Sequence, residues 1–241
     1  MMDSIVLSTL LAMFFAFIGA WVQTSMGFGF AIVVAPFLFR LNPDYVPAPL
    51  CLVVLFICLA QVVKCKNDLQ VGALKAAIIG RIPGSAVGGM MLMFFSIQTL
   101  ELYLGCLVLL AVAVSLCSIQ LKPTSIRMGI AGFFSGVFGT SAAIGGPPMA
   151  ILLQHEQAHK LRANLSAFFL FSSVLSLLVQ FIAGFLSLKH ILLTLPLLPA
   201  AGLGHHFAYA YCQKVSIDRM RLPVLCLCCI SGITAIVHGL H

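Results

Sequence analysis

Six stretches of this chain, at about 45–63, 76–97, 101–121, 164–187, 190–212 and 221–240, are apolar and hold at most one Asp, Glu, Lys or Arg each. Two further stretches, 4–39 and 126–154, are equally apolar but broken. The first is interrupted at Gln23-Thr24-Ser25-Met26-Gly27-Phe28-Gly29. The second is interrupted by Gly136, Gly139, Thr140, Ser141, Gly145, Gly146, Pro147 and Pro148. A helix of roughly 20 apolar residues crosses the hydrocarbon core of a bilayer, so lipid is the solvent for this chain. Charge content agrees: 8% of the 241 residues are charged and 61% are hydrophobic, against about a quarter charged in a soluble domain. The expected fold is an all-α polytopic membrane protein.

The first 23 residues carry no positively charged leader before the apolar run and no A-x-A-like cleavage site, so they are read as structure. The formal net charge is +7, but the basic residues fall in short loops. They serve to orient the chain in the bilayer and do not point to nucleic acid. Cysteines within the apolar runs, such as Cys226, Cys228 and Cys229, read as small packing residues, and no cofactor is expected.

Internal repetition organises the chain. A shift of 112 pairs Gly27 with Gly139, Ala31 with Ala143, Ile32 with Ile144 and Pro36 with Pro148. A shift of 116 pairs Pro83 with Pro199 and Gly88 with Gly204. Two membrane repeats follow, about 1–121 and 122–241, each a broken segment followed by three spans. Positive charge selects between a single crossing and a re-entrant hairpin for the broken segments. With hairpins, Lys64, Lys66, Lys75, Lys122, Arg127, Lys160, Arg162, Lys214, Arg219 and Arg221 share the cytoplasmic side. Arg40 and Lys189 fall outside, and Arg81 stands within a span. A hairpin plus three crossings inverts the second half relative to the first, as in transporters with inverted repeats. The hairpin tips are expected near the midplane, and both termini outside.

Irregular backbone at membrane depth survives where protein or a water-filled cavity satisfies its polar groups. A half-helix that starts at such a tip presents unpaired amides and about half a positive charge, which suits a small anion. Thr24 or Ser25, and Thr140 or Ser141, are candidate caps for the second half-helices. Arg81 is an intramembrane charge and so a candidate anion contact, although its position also lets it snorkel to the cytoplasmic interface. Gly80, Gly84 and Gly88 form a small-residue ladder suited to helix packing. His205 and His206 could relay protons.

One motif points elsewhere. His155-Glu156-Gln157-Ala158-His159 spells the zincin helix, in which two histidines bind zinc and the glutamate is general base. A third ligand is required. Apart from Glu156, the acidic residues Asp3, Asp44, Asp68, Glu101 and Asp218 lie at segment ends or in loops, and His205 is the remaining candidate. The motif also stands beside Lys160 and Arg162, where a hairpin would leave the membrane. It reads as a coincidence of spelling.

The stretches GAWVQTSMGFGFAIVVAPFL, GTSAAIGGPPMAILL, KLRANLSAFFL, RIPGSAVGG and LPAAGLG together resemble the sulfite exporter TauE/SafE family, also called the toluene-sulfonate uptake permease family. The resemblance implies a polytopic transporter with duplicated halves that moves sulfur-containing anions such as sulfite, sulfonates or sulfoacetate. Carried over by residue, it marks Gly139, Thr140, Ser141, Gly145, Gly146, Pro147 and Pro148, with the stretch Gln23 to Gly29 as their symmetry partner. The expected protein is then a secondary carrier, not an enzyme, in the plasma membrane. Its anion would lie between the two tips against backbone amides and the hydroxyls of Thr24, Ser25, Thr140 and Ser141. Gln23, Gly27, Gly29 and Arg81 complete the candidate set. A coupling proton or sodium ion, and a second copy of the chain, are admitted as partners. An anion channel using the same site and the zinc protease are the alternatives.

Overall fold

The computed structural model describes residues 2–116, 121–154, 156–211 and 217–239. Every regular element there is helical. In chain order they are α1 (Met2–Met26), α2 (Phe30–Leu41), α3 (Ala48–Lys64), α4 (Val71–Phe94), α5 (Ile97–Leu116), α6 (Ser125–Ala142), α7 (Gly146–Leu153), α8 (Ala158–Ile182), α9 (Leu188–Thr194), α10 (Leu197–Tyr211) and α11 (Ile217–Gly239), with single 3-10 turns at Pro43–Tyr45 and Lys66–Asp68. Among the described residues, five helical stretches are long and apolar enough to cross a membrane. A sixth arises if α9 and α10, bent by 42° at their junction, act as one span.

Both interrupted segments break into helical hairpins. α2 doubles back along α1: Phe15 stacks on Phe37 at 4.4 Å, and Val34 and Phe30 close on Gly19. α7 doubles back along α6, so that Met128 shares a buried cluster with Met149, Leu152 and Leu153. The arms are unequal. At about 1.5 Å per residue, α1 extends about 37 Å and α2 about 18 Å. α6 extends about 27 Å and α7 about 12 Å. The first arm of the first hairpin is long and apolar enough to cross a membrane by itself.

The two breaks correspond at a shift of 116, not 112. Met26 and Ala142 end the first arms, Gly27 and Ala143 follow with positive φ (86° and 61°), and Gly29 and Gly145 precede the second arms. Thr24 then matches Thr140, and Ser25 matches Ser141. The earlier pairing slipped by one helical turn. Gly139 lies a turn before its reversal whereas Gly27 lies in it, and Pro36 is mid-helix whereas Pro148 is in the first turn of α7. A one-turn slip keeps residues on the same helix face, so an apolar pattern alone does not detect it.

Close backbone contact holds the long helices together. α4 packs along α6, and a Cβ on Gly80 or Gly84 would overlap the backbone carbonyls of Gly129 or Phe133. Gly132 and Gly136 of α6 meet α4 in the same way at Ala77 and Arg81. Helices that approach this closely gain dispersion contacts along their whole length, which suits association in lipid. α10 packs along α1, with Gly204 against the Phe17 carbonyl; α3 packs on α8, and α5 on α11.

Candidate functional site

The two chain reversals meet. Gln23, Phe28, Gly29, Phe30, Ala31 and Ile32 from the first, and Ala143, Ile144, Gly145 and Gly146 from the second, line one cavity of about 30 Å³ with Val54 of α3 and Phe169 of α8. That is room for about one water. Phe28 reaches across the junction, so that a Cβ on Gly146 would lie 3.0 Å from its ring. The same Phe28, with Gly29, also lines a second small cavity running to Met26, Ala111 and Cys228.

Neither second arm is capped by a hydroxyl. Thr24, Ser25, Thr140 and Ser141 occupy the last turn of the first arms. Helical side chains there lean back toward their own N-terminus, away from the arm that follows. Gln23 does the work instead: its Oε1 accepts from the Phe30 amide at 3.1 Å and its Nε2 donates to the Gly27 carbonyl at 3.2 Å. α2 opens with the amides of Ala31 and Ile32 beside the cavity. α7 is poorer in donors, because Pro147 and Pro148 have no N–H.

The four hydroxyls do not converge on one point. Gln61 of α3 donates to the Thr24 carbonyl at 3.2 Å, while the Gly139 carbonyl accepts from Cys51 near the other end of α3. Ten residues of helix separate these anchors, about 15 Å. Two polar clusters therefore flank the cavity.

At the second reversal, Arg81 is buried at 2% exposure, well inside α4, and does not snorkel. Its Nη1 donates to the Ser135 carbonyl and to Ser135 Oγ (2.7 Å), and its Nη2 to Ser176 Oγ (2.9 Å) and the Ser172 carbonyl (3.5 Å). Ser176 Oγ also pairs with Thr140 Oγ1 at 2.9 Å, and Gln180 donates to the Thr140 carbonyl at 2.9 Å. Ser141 donates to the Val137 carbonyl and meets the Tyr103 hydroxyl. The guanidinium fits because Gly139 and Gly145 lack a Cβ; one added at either would lie 2.5 or 2.8 Å from its nitrogens. Every acceptor is neutral, Arg81 Nε is buried without a partner, and among the described residues no carboxylate pairs with it. A buried charge in that condition is costly unless a counter-ion joins it.

At the first reversal, Thr24 Oγ1 pairs with His205 Nδ1 of α10 at 2.9 Å, and Gln23 Nε2 reaches the Cys58 thiol. His206 is exposed. Gly27 packs against Leu165 and Arg162 of α8, outside the cavity.

The structure thus brings Gln23, Gly29, Gly145 and Gly146 to the cavity, sets Arg81, Gly139 and Thr140 behind Gly145, and leaves Thr24 and Ser25 in the other cluster. Gln61, Gln180, Ser135 and Ser176 escaped the sequence reading. The two glutamines had a signal, since a lone amide in an apolar run needs a partner. The zincin letters assemble differently: Glu156 accepts from Asn164 at 3.0 Å and His159 faces Asp68 at 3.8 Å. His155, like Lys214, lies outside the described residues. Among the described residues, no three His, Cys, Asp or Glu stand together as a metal site.

The family model described as sulfite exporter TauE/SafE matches residues 11–235. No curated protein and no solved structure matches the chain. The chain belongs to the sulfite exporter TauE/SafE family, whose members are membrane transporters of sulfur-containing anions rather than enzymes.

Proposed function

We propose that this TauE/SafE-family chain is a secondary carrier of the plasma membrane that binds a sulfonate or sulfite-like anion between its two chain reversals. The observation that carries the reading is Arg81: a buried cation with only neutral acceptors, packed against Gly145, which lines the shared cavity. The anion would lie against the amides that open α2 and those of Gly145 and Gly146. Arg81 behind them would supply the fixed positive charge. Gln23 holds the first reversal in shape; Ser135 and Ser176 hold the guanidinium, Thr140 pairs with Ser176 behind it, and Gly139 leaves it room. Thr24, Ser25, Gly27, Ser141, Pro147 and Pro148 shape the two reversals.

A cavity of about 30 Å³ holds a water but not a sulfonate. The anion therefore enters when the reversals part, which is the requirement of alternating access. Rocking of two inverted repeats, 1–121 and 122–241, would part them. Support for the repeats lies in matched packing: α4 on α6 and α10 on α1, with Gln61 clasping the Thr24 carbonyl as Gln180 clasps that of Thr140.

The test is binding to purified protein of sulfite, thiosulfate, sulfoacetate and toluenesulfonate, with carboxylates as controls. Arg81→Gln should abolish saturable binding while the protein stays folded; retained affinity would refute the site. A channel would share the site but show no counterflow in proteoliposomes.

A further inference from the structure

The two clusters are built alike and differ in one respect. In each, an α3 or α8 glutamine donates to a threonine carbonyl and keeps its own Oε1 buried without a partner. In each, the threonine hydroxyl pairs with a side chain from another helix. At Thr140 the chain of contacts ends in Arg81, a permanent cation. At Thr24 it ends in His205, an imidazole and so a group that can carry a proton. His205 is buried at 5% exposure, and its Nε2 has no partner.

We propose that the cluster of His205, Thr24 and Gln61 is the site of a co-transported proton, carried on His205 in the same cycle as the anion. This rests on the carrier reading above and commits it to proton symport.

The charge surroundings support the pairing of proton with anion. From Val6 to Met26, α1 carries no ionisable side chain. α3 presents the Cys58 thiol and Lys64, whose Nζ lies 4.3 Å from the centre of the Tyr209 ring. α10 itself adds Tyr209, and His206, which is exposed. α9 carries Lys189 and His190, which engage Asp44 and Ser187 elsewhere. Among the described residues, no carboxylate on these elements faces His205. An imidazolium there has no resident counter-ion, so its charge is compensated when a transported anion occupies the cavity that Gln23, the neighbour of Thr24, lines. The proton is taken from water on one side onto a ring nitrogen and returned to water on the other, while the anion crosses with it. Arg81 keeps its charge throughout.

The experiment uses the full chain in proteoliposomes with radiolabelled sulfite and radiolabelled toluenesulfonate, the second because its charge does not change with pH. An inside-alkaline pH gradient should drive accumulation in the unmutated protein, and a protonophore should collapse it. His205→Gln should keep anion counterflow within about twofold and lose at least tenfold of the gradient-driven accumulation. Thr24→Val, which keeps the imidazole but removes its hydroxyl partner, should shift the pH midpoint of uptake. Gradient-driven accumulation that survives His205→Gln, or a midpoint unmoved by Thr24→Val, would overturn the proposal. So would unmutated protein that shows counterflow but ignores the pH gradient, and there the carrier reading would stand. Absence of counterflow in the unmutated protein would overturn both.

Discussion

Gly139 and Gly145 are glycines because a guanidinium occupies the space their side chains would take. Gly139→Ala places a methyl 2.5 Å from an Arg81 nitrogen, so it should push the cation off its serine partners. Anion affinity should fall by about tenfold, the scale of one charge-assisted hydrogen bond, with expression near normal; equilibrium binding in detergent measures it. Arg81→Lys keeps the charge but not the planar fork that reaches Ser135 and Ser176 together. Its affinity should lie between the unmutated protein and Arg81→Gln, and a lysine variant no better than the glutamine one would refute a role for charge. Arg81 was visible in the sequence as a cation in an apolar run. Its depth was not, because a long side chain a third of the way along a helix can reach either the interface or the interior. The three serines and two glycines around it come from α6, its reversal and α8, and only the fold assembles them.

The packing of α4 on α6 sets where that cation sits. Gly84→Leu drives a branched side chain into the Phe133 backbone, and overpacking of this kind costs typically about 1–3 kcal/mol. Thermal unfolding in detergent should show a lower Tm. Gln23→Leu should act differently: α2 loses the side-chain acceptor for its Phe30 amide, a capping loss of about 1 kcal/mol. Anion binding should weaken with it, since the amides beside the cavity are no longer held in place. The small-residue ladder on α4 was legible because its four-residue spacing exposes one face of a helix. The register between the two breaks was misread by one turn. The dipeptides Thr24-Ser25 and Thr140-Ser141 carried the correct shift, but glycine and proline matches outvoted them.

For the molecule as a carrier, orientation is the testable property. Tags at both termini should be reached from outside intact cells, because a hairpin plus three crossings carries each half to the opposite side and two such halves bring the chain back to the side from which it began. A cytoplasmic C-terminus would break the inverted arrangement. Flux should saturate and show counterflow, as a carrier that exposes one site to each side in turn requires.

Membrane residence, helical class and the two breaks followed from local facts: runs of apolar residues long enough to cross lipid, and glycines and prolines where a helix does not continue. Neighbours in the chain settle such properties. Which hydroxyl meets which partner was not settled there, because Arg81 contacts residues 54 to 95 positions away and Thr24 contacts one 181 positions away. Long-range packing of α4 on α6 and of α10 on α1 divides the four hydroxyls expected around one anion between a guanidinium cluster on one side and an imidazole cluster on the other.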